Sequence, residues 1–190
     1  MTTGQLSLFE KPASSLPPGF LYAQDVIAPE EEAALLEAFA TFPFANFEFR
    51  GFLGQRRTVS FGWRYDFGAS ALRPAEPIPA SLVPLRDRAA AFAGLEPAEL
   101  AHVMVTEYTP GAAIGWHRDR AEFGEVIGVS LASACTFRFR RKQETGWERR
   151  SLVLQPRSAY VLRGPSRTQW EHSIPGVDAL RYSVTFRTLR

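Results

Sequence analysis

The second half of the chain is a series of short apolar runs, and this pattern limits the fold more than any other feature. From residue 103 onward, apolar runs of strand length are separated by turn signals. A β-sandwich or jelly roll buries strands of this kind, so we predict such a core. The predicted strands are Val103 to Tyr108, Val126 to Leu131, Thr136 to Arg140, Ser151 to Leu154, Ala159 to Leu162 and Tyr182 to Phe186.

The first half predicts helices and hairpins in front of this β region. Pro29 and the three acidic residues after it favour a helix start. A second helix is predicted from Ala80 to Ala93, and a helical turn from Pro97 to Leu100. The aromatic-rich, glycine-punctuated segment from Phe42 to Phe67 favours hairpins. The predicted fold class is therefore α+β, with N-terminal helices flanking the β core.

The chain has 190 residues, enough for one domain with a substantial core. We expect a loose tail over residues 1–19 and one domain over residues 20–190. No apolar run approaches the length of a membrane span, and the first residues do not have the basic start and apolar stretch that are typical of a signal peptide. The single cysteine, Cys135, excludes an internal disulfide. A cytoplasmic monomer without a membrane partner is expected, and the net charge of +2 gives no strong signal for a polyanion.

Two histidines and one carboxylate form a candidate metal site. His117 and Asp119 are two residues apart, and His172 follows later. Residues two apart on a strand point to the same side, so we predict that His117 and Asp119 project together. Two imidazoles and a carboxylate suit Fe(II), with positions left open for a cosubstrate and O₂. The alternative is that His117 and His172 are ordinary partly buried histidines and that Asp119 caps a turn. We interpret His102 as such an ordinary histidine, since no partner for it is in view.

The last predicted strand alternates polar and apolar residues. Arg181, Ser183, Thr185 and Arg187 fall on one face. The Cα atoms of the two arginines would lie roughly 20 Å apart. Their long side chains could lean together and clamp a small dicarboxylate, which suggests 2-oxoglutarate. The alternative is a polar strand face that lies in solvent.

These residues resemble the AlkB family of Fe(II)/2-oxoglutarate dioxygenases. The order and spacing of several motifs carry the resemblance, from about Arg56 to Arg187. The resemblance implies a double-stranded β-helix, or jelly roll, with flanking helices and a substrate-recognition lid. Its anchors are Glu107-Tyr108-Thr109-Pro110-Gly111, Gly115-Trp116-His117-Arg118-Asp119, Val129-Ser130-Leu131, Trp170-Glu171-His172-Ser173-Ile174-Pro175 and the closing Arg-x-Ser-x-Thr-x-Arg.

The resemblance also implies roles and chemistry. His117, Asp119 and His172 would ligate iron. Arg181 and Tyr108 would hold the distal carboxylate of 2-oxoglutarate, and Arg187 would sit by its keto-acid end. Ser183 and Thr106 stand where the family usually has Asn, but both keep a hydrogen-bonding hydroxyl. The implied reaction uses Fe(II), O₂ and 2-oxoglutarate, hydroxylates a methyl carbon on nitrogen, and releases formaldehyde, succinate and CO₂.

Two segments suggest contacts with a nucleic acid. A base must be flipped out of a duplex before it reaches a buried metal, and flipped bases stack on aromatic residues. The segment that resembles the family's nucleotide-recognition lid offers Trp63, Tyr65 and Phe67. The basic turn Arg140-Arg141-Lys142 offers phosphate contacts, which position a strand without reading its sequence. The alternatives are aromatics packed under the lid and a solvated charged hairpin.

The resemblance leaves the substrate open. Repair members of the family often carry an acidic residue two positions after the Asp ligand, where this chain has Ala121 with Glu122 beside it. The first hypothesis is demethylation of N-alkylated bases in DNA or RNA. A second keeps the chemistry but acts on a protein side chain, a tRNA modification or a small molecule. A third is a non-catalytic nucleic-acid-binding relic, against which the intact ligand set argues.

The tail contains a short linear motif. Gln5-Leu6-Ser7-Leu8-Phe9 resembles the peptide by which bacterial repair and replication proteins dock on the β sliding clamp. Leu8 and Phe9 would fill an apolar pocket, Leu6 would pack between, and Gln5 would make a polar anchor. The alternative is that the apolar residues fold back onto the domain. Docking on the clamp would favour DNA repair over oxidation of a small molecule.

Overall fold

The computed structural model describes residues 16–49, 52–66 and 68–190. The clamp-like motif at residues 5–9 and the lid residue Phe67 therefore lie outside the described residues. The predicted helices form, and they are α1 (Pro29–Phe39) and α2 (Val83–Ala93), with short 3₁₀ turns at Ala80–Leu82 and Pro97–Glu99. The predicted second helix begins as a 3₁₀ turn, and Pro84 lies in the first turn of α2, where its missing N–H costs no helical bond. A short helix that was not predicted, α3, spans Gly164–Thr168.

Every strand predicted from the apolar runs is present, usually extended by one to three residues. The strands of the first half are β1 (Phe20–Ala23), β2 (Ala45–Phe49), β3 (Phe52–Phe61), β4 (Trp63–Asp66) and β5 (Ala71–Pro74). Those of the second half are β6 (His102–Tyr108), β7 (Ile114–His117), β8 (Phe123–Leu131), β9 (Cys135–Lys142), β10 (Trp147–Leu154), β11 (Ser158–Leu162), β12 (Glu171–Ile174) and β13 (Arg181–Leu189).

The strands form two main antiparallel sheets, as a jelly roll requires. The major sheet has the order β1-β11-β8-β13-β6-β3-β2, and the minor sheet has the order β10-β9-β12-β7. Strands β4 and β5 form a separate hairpin. Because the sheets interleave strands from distant parts of the chain, residues far apart in sequence face one another across the fold. The predicted jelly-roll core with flanking helices is confirmed.

Two hydrophobic cores lie on the two sides of the major sheet. On the outer side, α1 and α2 pack against residues that include Val105, Val129 and Phe186. On the inner side, the major and minor sheets enclose a second core rich in aromatic rings, including Phe137 and Tyr160. The major sheet is therefore buried on both faces, which is why its strands read as nearly continuous apolar runs. Among the described residues, no helix is long and apolar enough to cross a membrane.

Candidate active site

A cavity between the two sheets collects the three predicted metal ligands and most of the residues predicted to bind 2-oxoglutarate. Its walls come from β3, β6 and β8 of the major sheet and from β7, β9 and β12 of the minor sheet, with β11 and β13 completing it. The inward side chains of neighbouring strands converge there because strand residues alternate between the two faces of a sheet. The predicted residues in its lining are Thr106, Tyr108, His117, Asp119, His172, Ser183 and Arg187.

The two predicted histidines are cross-strand neighbours in the minor sheet. His117 at the end of β7 pairs with His172 on β12, and their ring centroids lie 4.3 Å apart. The Nδ1 atom of His117 lies 2.9 Å from the carbonyl oxygen of Gly115. If that nitrogen donates its proton to the carbonyl, Nε2 keeps a lone pair for a metal. The His172 ring stacks on Phe137, with centroids 5.3 Å apart.

Asp119 joins these histidines from a loop rather than from a strand. The prediction that His117 and Asp119 share one strand face was wrong, because β7 ends at His117 and the chain then turns. The Asp119 Oδ2 atom nevertheless lies 3.6 Å from His172 Nε2. One ligand atom of each of the three residues lies within 4.8 Å of the others, close enough to hold one metal ion. Two nitrogen donors and one oxygen donor suit Fe(II).

Electrostatics keep this cluster ready for a cation. Burial opposes ionisation of Asp119, but Arg187 and then the two histidines outweigh it and hold the pKa of the carboxyl well below its usual range. Burial, with a further contribution from His117, lowers the pKa of His172 to about 3. At neutral pH the cluster therefore presents the carboxylate of Asp119 and the neutral imidazole of His172, forms that bind metal without first losing a proton.

Arg187, near the end of β13, forms an ion pair with Asp119. Its Nε and Nη2 atoms donate to Asp119 Oδ1 at 2.9 and 2.8 Å. The idea that both arginines of β13 lean toward each other was therefore wrong, since Arg187 turns to the metal cluster. His102, expected to have no partner, lies 3.4 Å from Arg187 Nη1 through its Nδ1 atom.

Arg167 on α3 holds the loop that carries Asp119, and no sequence pattern predicted this role. Its buried guanidinium donates to four backbone carbonyls, those of Asp119, Arg120, Phe123 and Gly124, at 2.5 to 3.1 Å. A buried carbonyl without a donor costs free energy, so this one side chain stabilises both the loop with Asp119 and the first residues of β8. We call this contact the Arg167 clamp.

Arg181 at the opposite end of β13 is fully buried and incompletely bonded. Its Nε atom donates to Ser130 Oγ at 3.2 Å, and its guanidinium lies 5.0 Å from the Tyr108 ring centroid. Among the described residues, neither Nη1 nor Nη2 has a hydrogen-bond acceptor. Buried donors of this strength are normally satisfied, so the site lacks an acceptor such as a carboxylate. The alternative of a solvent-facing strand is excluded, because Arg181, Ser183, Thr185 and Arg187 are all buried.

Tyr160 and Arg56 line the cavity but were not predicted. Tyr160 on β11 lies across Gly128 on β8, where an added Cβ would overlap the tyrosine ring. A glycine in the middle of an apolar strand was the available signal for this close approach. Arg56 on β3 donates to the carbonyl of Ala113, and burial lowers the pKa of its guanidinium.

The predicted substrate residues are spread around the site rather than gathered in it. Tyr65 on β4 stacks on Arg120, whose guanidinium lies 4.0 Å from the ring centroid and donates to the Tyr65 hydroxyl at 3.0 Å. Trp63 lies on the same hairpin, opposite Pro74. Neither of these aromatics nor Glu122 belongs to the cavity lining within the described part of the chain.

The basic turn lies outside the cavity as well. Arg140 stacks between two indole rings, 4.7 Å from the centroid of Trp116 and 4.2 Å from that of Trp147. Arg141 instead pairs with Glu148, with Nη2 2.7 Å from Oε2. Lys142 is exposed. The three residues predicted to act together therefore differ in environment, since side chains alternate across strand β9.

Comparisons with known proteins agree with this architecture. The profile of the 2OG-Fe(II) oxygenase superfamily matches residues 19–187. The mouse protein "tRNA (carboxymethyluridine(34)-5-O)-methyltransferase ALKBH8" is 30% identical over 84% of this chain, but that match covers only 24% of the mouse protein. An "Alkylated DNA repair protein ALKBH8 homolog" from Arabidopsis thaliana is 25% identical over 91% of this chain and 56% of its own length.

The fold itself has a solved counterpart. The structure of OsALKBH1 superposes on this chain with a TM-score of 0.72, covering 91% of this chain and 98% of that one at 15% identity. At this identity the likeness shows a shared fold, while the superfamily profile spans nearly the whole described domain. The donor set of the cluster suits Fe(II), and the unfilled donors of Arg181 suit the carboxylate of 2-oxoglutarate. The chain therefore belongs to the 2OG-Fe(II) oxygenase superfamily, and its site residues suit the Fe(II) and 2-oxoglutarate that give this superfamily its name.

Proposed function

We propose that this dioxygenase demethylates N-alkylated bases in DNA or RNA. The observation that carries the proposal is the position of Tyr65, which contacts Arg120, the residue directly after Asp119. An aromatic ring on a separate hairpin is thereby held beside the loop of the metal cluster. A base that has left its stack needs such a ring to lie against.

Within this proposal the metal cluster and β13 have distinct roles. His117, Asp119 and His172 hold Fe(II), while Arg181 and Tyr108 take the distal carboxylate of 2-oxoglutarate. When bound, the iron, cosubstrate and O₂ supply an oxidant for a C–H bond, and 2-oxoglutarate is converted to succinate and CO₂. Arg187 keeps Asp119 ionised and fixed. Thr106 and Ser183 line the cavity between these ends and offer hydroxyl groups to the cosubstrate.

The bound base is placed by the surroundings of the cavity. Tyr65, Trp63 and Phe67 of the lid segment are the candidate stacking residues, and Glu122 is the candidate acidic contact. The names of two relatives concern a tRNA uridine and alkylated DNA. These similarities support a nucleic acid as the substrate of this protein. The hydroxylated N-methyl group then breaks down to formaldehyde and the bare amine.

A second candidate is oxidation of a modified uridine in tRNA. The mouse relative is named for carboxymethyluridine, although this chain spans only 24% of that protein. Arg56 favours this candidate, because a partly buried cation in the cavity wall suits a substrate with an anionic or acceptor-rich substituent.

One experiment separates the candidates. The protein is supplied with Fe(II), ascorbate and 2-oxoglutarate, together with oligonucleotides carrying 1-methyladenine, 3-methylcytosine or etheno adducts, or with tRNA carrying modified uridines. Mass spectrometry identifies any substrate that changes, and succinate reports turnover. Loss of an N-methyl group supports the first candidate, and hydroxylation of a uridine side chain supports the second. Succinate formed without change to any nucleic acid would contradict both.

We also propose that residues 5–9 dock on the β sliding clamp. Two apolar side chains in an extended peptide can fill a pocket while the domain holds its substrate. The test is a binding titration against purified clamp, with Leu8→Ala/Phe9→Ala as the control. No binding by the wild type, or equal binding by the double variant, contradicts the proposal.

A further inference from the structure

The outer face of the minor sheet carries a concentration of aromatic and basic side chains. Phe137, Phe139 and His172 point into the inner core, so the residues between them on β9 and β12 point outward. The register of β9 with β10 places outward residues of both strands side by side. We call this surface the aromatic-basic face, and it consists of Trp116, Arg138, Arg140, Lys142, Trp147, Arg149 and Glu171.

Cations and indole rings alternate across this face. The guanidinium carbons of Arg138 and Arg140 lie 5.2 Å and 4.7 Å from the centroid of the Trp116 ring. The guanidinium carbon of Arg140 and the ammonium nitrogen of Lys142 lie 4.2 Å and 5.4 Å from the centroid of the Trp147 ring. These stacks hold long side chains in fixed positions, so less conformational entropy is lost when a partner binds them.

The face carries more positive charge than its own carboxylate neutralises. Four of its side chains are cationic, and Glu171 is its acid, bonded to the Nε atom of Arg140. Arg138 donates its Nε atom to Ser173 Oγ at 3.2 Å. Among the described residues, the terminal nitrogens of both arginines make no hydrogen bond, and stacking leaves their N–H edges available. This arrangement is complementary to a chain of anionic groups.

The position of the face connects it to the candidate active site. Trp116 directly precedes His117, and Glu171 directly precedes His172, so the face is the reverse side of the strands that carry both histidines. Strand β7 forms one edge of the minor sheet. His117 on this edge is partly exposed, so the cavity meets solvent beside it. A polymer that lies on the aromatic-basic face and passes over the edge formed by β7 reaches the cavity.

We propose that the aromatic-basic face binds the sugar–phosphate backbone of the single-stranded nucleic acid next to the target nucleotide. The inference rests on the proposed function and names the surface that holds the polymer. Outward residues two apart on β9 lie roughly 6.7 Å apart. Successive phosphates of an extended nucleic-acid strand repeat on a similar scale, and the planar guanidinium groups of the face suit phosphate contacts. Contacts of this kind add affinity without reading sequence.

The first test uses an unmodified, fluorescently labelled single-stranded oligonucleotide and the full chain. Wild-type binding, followed by anisotropy, weakens as salt increases, with a slope of about 0.7 per phosphate contacted. The variant Lys142→Ser/Arg149→Ser removes two exposed cations and is expected to bind at least fivefold more weakly, with a slope smaller by about 1.4. The matched control, Arg86→Ser/Arg88→Ser on α2, removes two cations from the opposite, helical side and leaves binding unchanged.

Three results would overturn the proposal. The first is equal binding by wild type and the Lys142→Ser/Arg149→Ser variant. The second is an equal loss in the α2 control, which would indicate an effect of net charge alone. The third is competition by poly-glutamate as effective as competition by unlabelled oligonucleotide, which would indicate an acidic protein partner. Failure of the proposed function can be distinguished from failure of this proposal. In that case the oligonucleotide still binds through the aromatic-basic face, but no base in it is oxidised.

Discussion

The two ends of strand β13 show opposite solutions to burying an arginine. At one end, Arg187 is paired with Asp119 at 2.8 Å, so the protein itself satisfies the charge. At the other end, Arg181 is fully buried with two guanidinium nitrogens left without an acceptor in the described chain. A buried charge that is paired supports the fold, whereas an unpaired one costs free energy until a ligand arrives. The metal end therefore satisfies its own charges, whereas the Arg181 end is the one that the proposed carboxylate of 2-oxoglutarate would complete.

Removing the carboxylate at the metal end of β13 is expected to have the largest effect. Asp119→Ala is expected to abolish turnover and also to lower the free energy of unfolding by about 3–5 kcal/mol, because it leaves Arg187 buried without a partner. His117→Ala and His172→Ala should abolish turnover without leaving a charge unpaired. Succinate production measures turnover, and chemical denaturation without metal measures stability. Wild-type succinate production by any of the three variants would contradict the ligand assignment.

The Arg181 end should show the reverse pattern. Arg181→Met removes unsatisfied donors, so the unfolding free energy of the ligand-free protein should be unchanged or higher. The same change should raise the 2-oxoglutarate requirement steeply, by the equivalent of about 2–5 kcal/mol. The measurements are denaturation without ligand and the dependence of succinate production on 2-oxoglutarate. Arg181→Lys keeps the charge but lacks the planar guanidinium, so its 2-oxoglutarate requirement should lie between those of the wild type and Arg181→Met. Unchanged affinity for 2-oxoglutarate in Arg181→Met would refute the role.

Ligand stabilisation sharpens the same contrast. With Fe(II) under anaerobic conditions, 2-oxoglutarate at 100 times its dissociation constant should stabilise the wild type by about 2.7 kcal/mol. Arg181→Met should lose most of this gain at the same concentration. Thermal unfolding with and without 2-oxoglutarate measures it, with succinate as a ligand control that lacks the keto-acid group. Equal stabilisation of both proteins would mean that the cosubstrate does not bind at Arg181.

The smallest expected effect is at Tyr108, next to Arg181. Tyr108→Phe keeps the ring beneath the guanidinium but removes one hydroxyl donor to the proposed carboxylate. Loss of a hydrogen bond to a charged group costs about 1.5–3 kcal/mol, so affinity for 2-oxoglutarate should fall roughly tenfold to a hundredfold while the unfolding free energy barely changes. The same titration of succinate production checks this. A large loss of stability would show that Tyr108 acts mainly in the fold.

The strands that the sequence predicted best are those buried in the major sheet. Strand β13 was predicted with its two faces correctly assigned, because alternation of Arg and Ser with Val and Phe is a purely local signal. Strand β7, with four residues, is too short to show alternation, so Asp119 was assigned to the same strand face as His117 although it lies in the loop that follows. The Arg140 stack could not be predicted either, since Trp116 and Trp147 belong to other strands. Contacts between distant segments leave no periodic trace in either one.

The Arg167 clamp has a consequence for the order in which the protein assembles. Its four acceptor carbonyls precede Arg167 by 43 to 48 residues, and strands β9 to β11 lie between the two segments. Because these donors come from a distant segment, the loop with Asp119 takes its final form only after α3 has docked. During synthesis, therefore, the nascent chain has both His117 and Asp119 long before it has a fixed metal site. The late-folding C-terminal quarter, which also supplies His172 and Arg187, decides when the enzyme can first take up its metal.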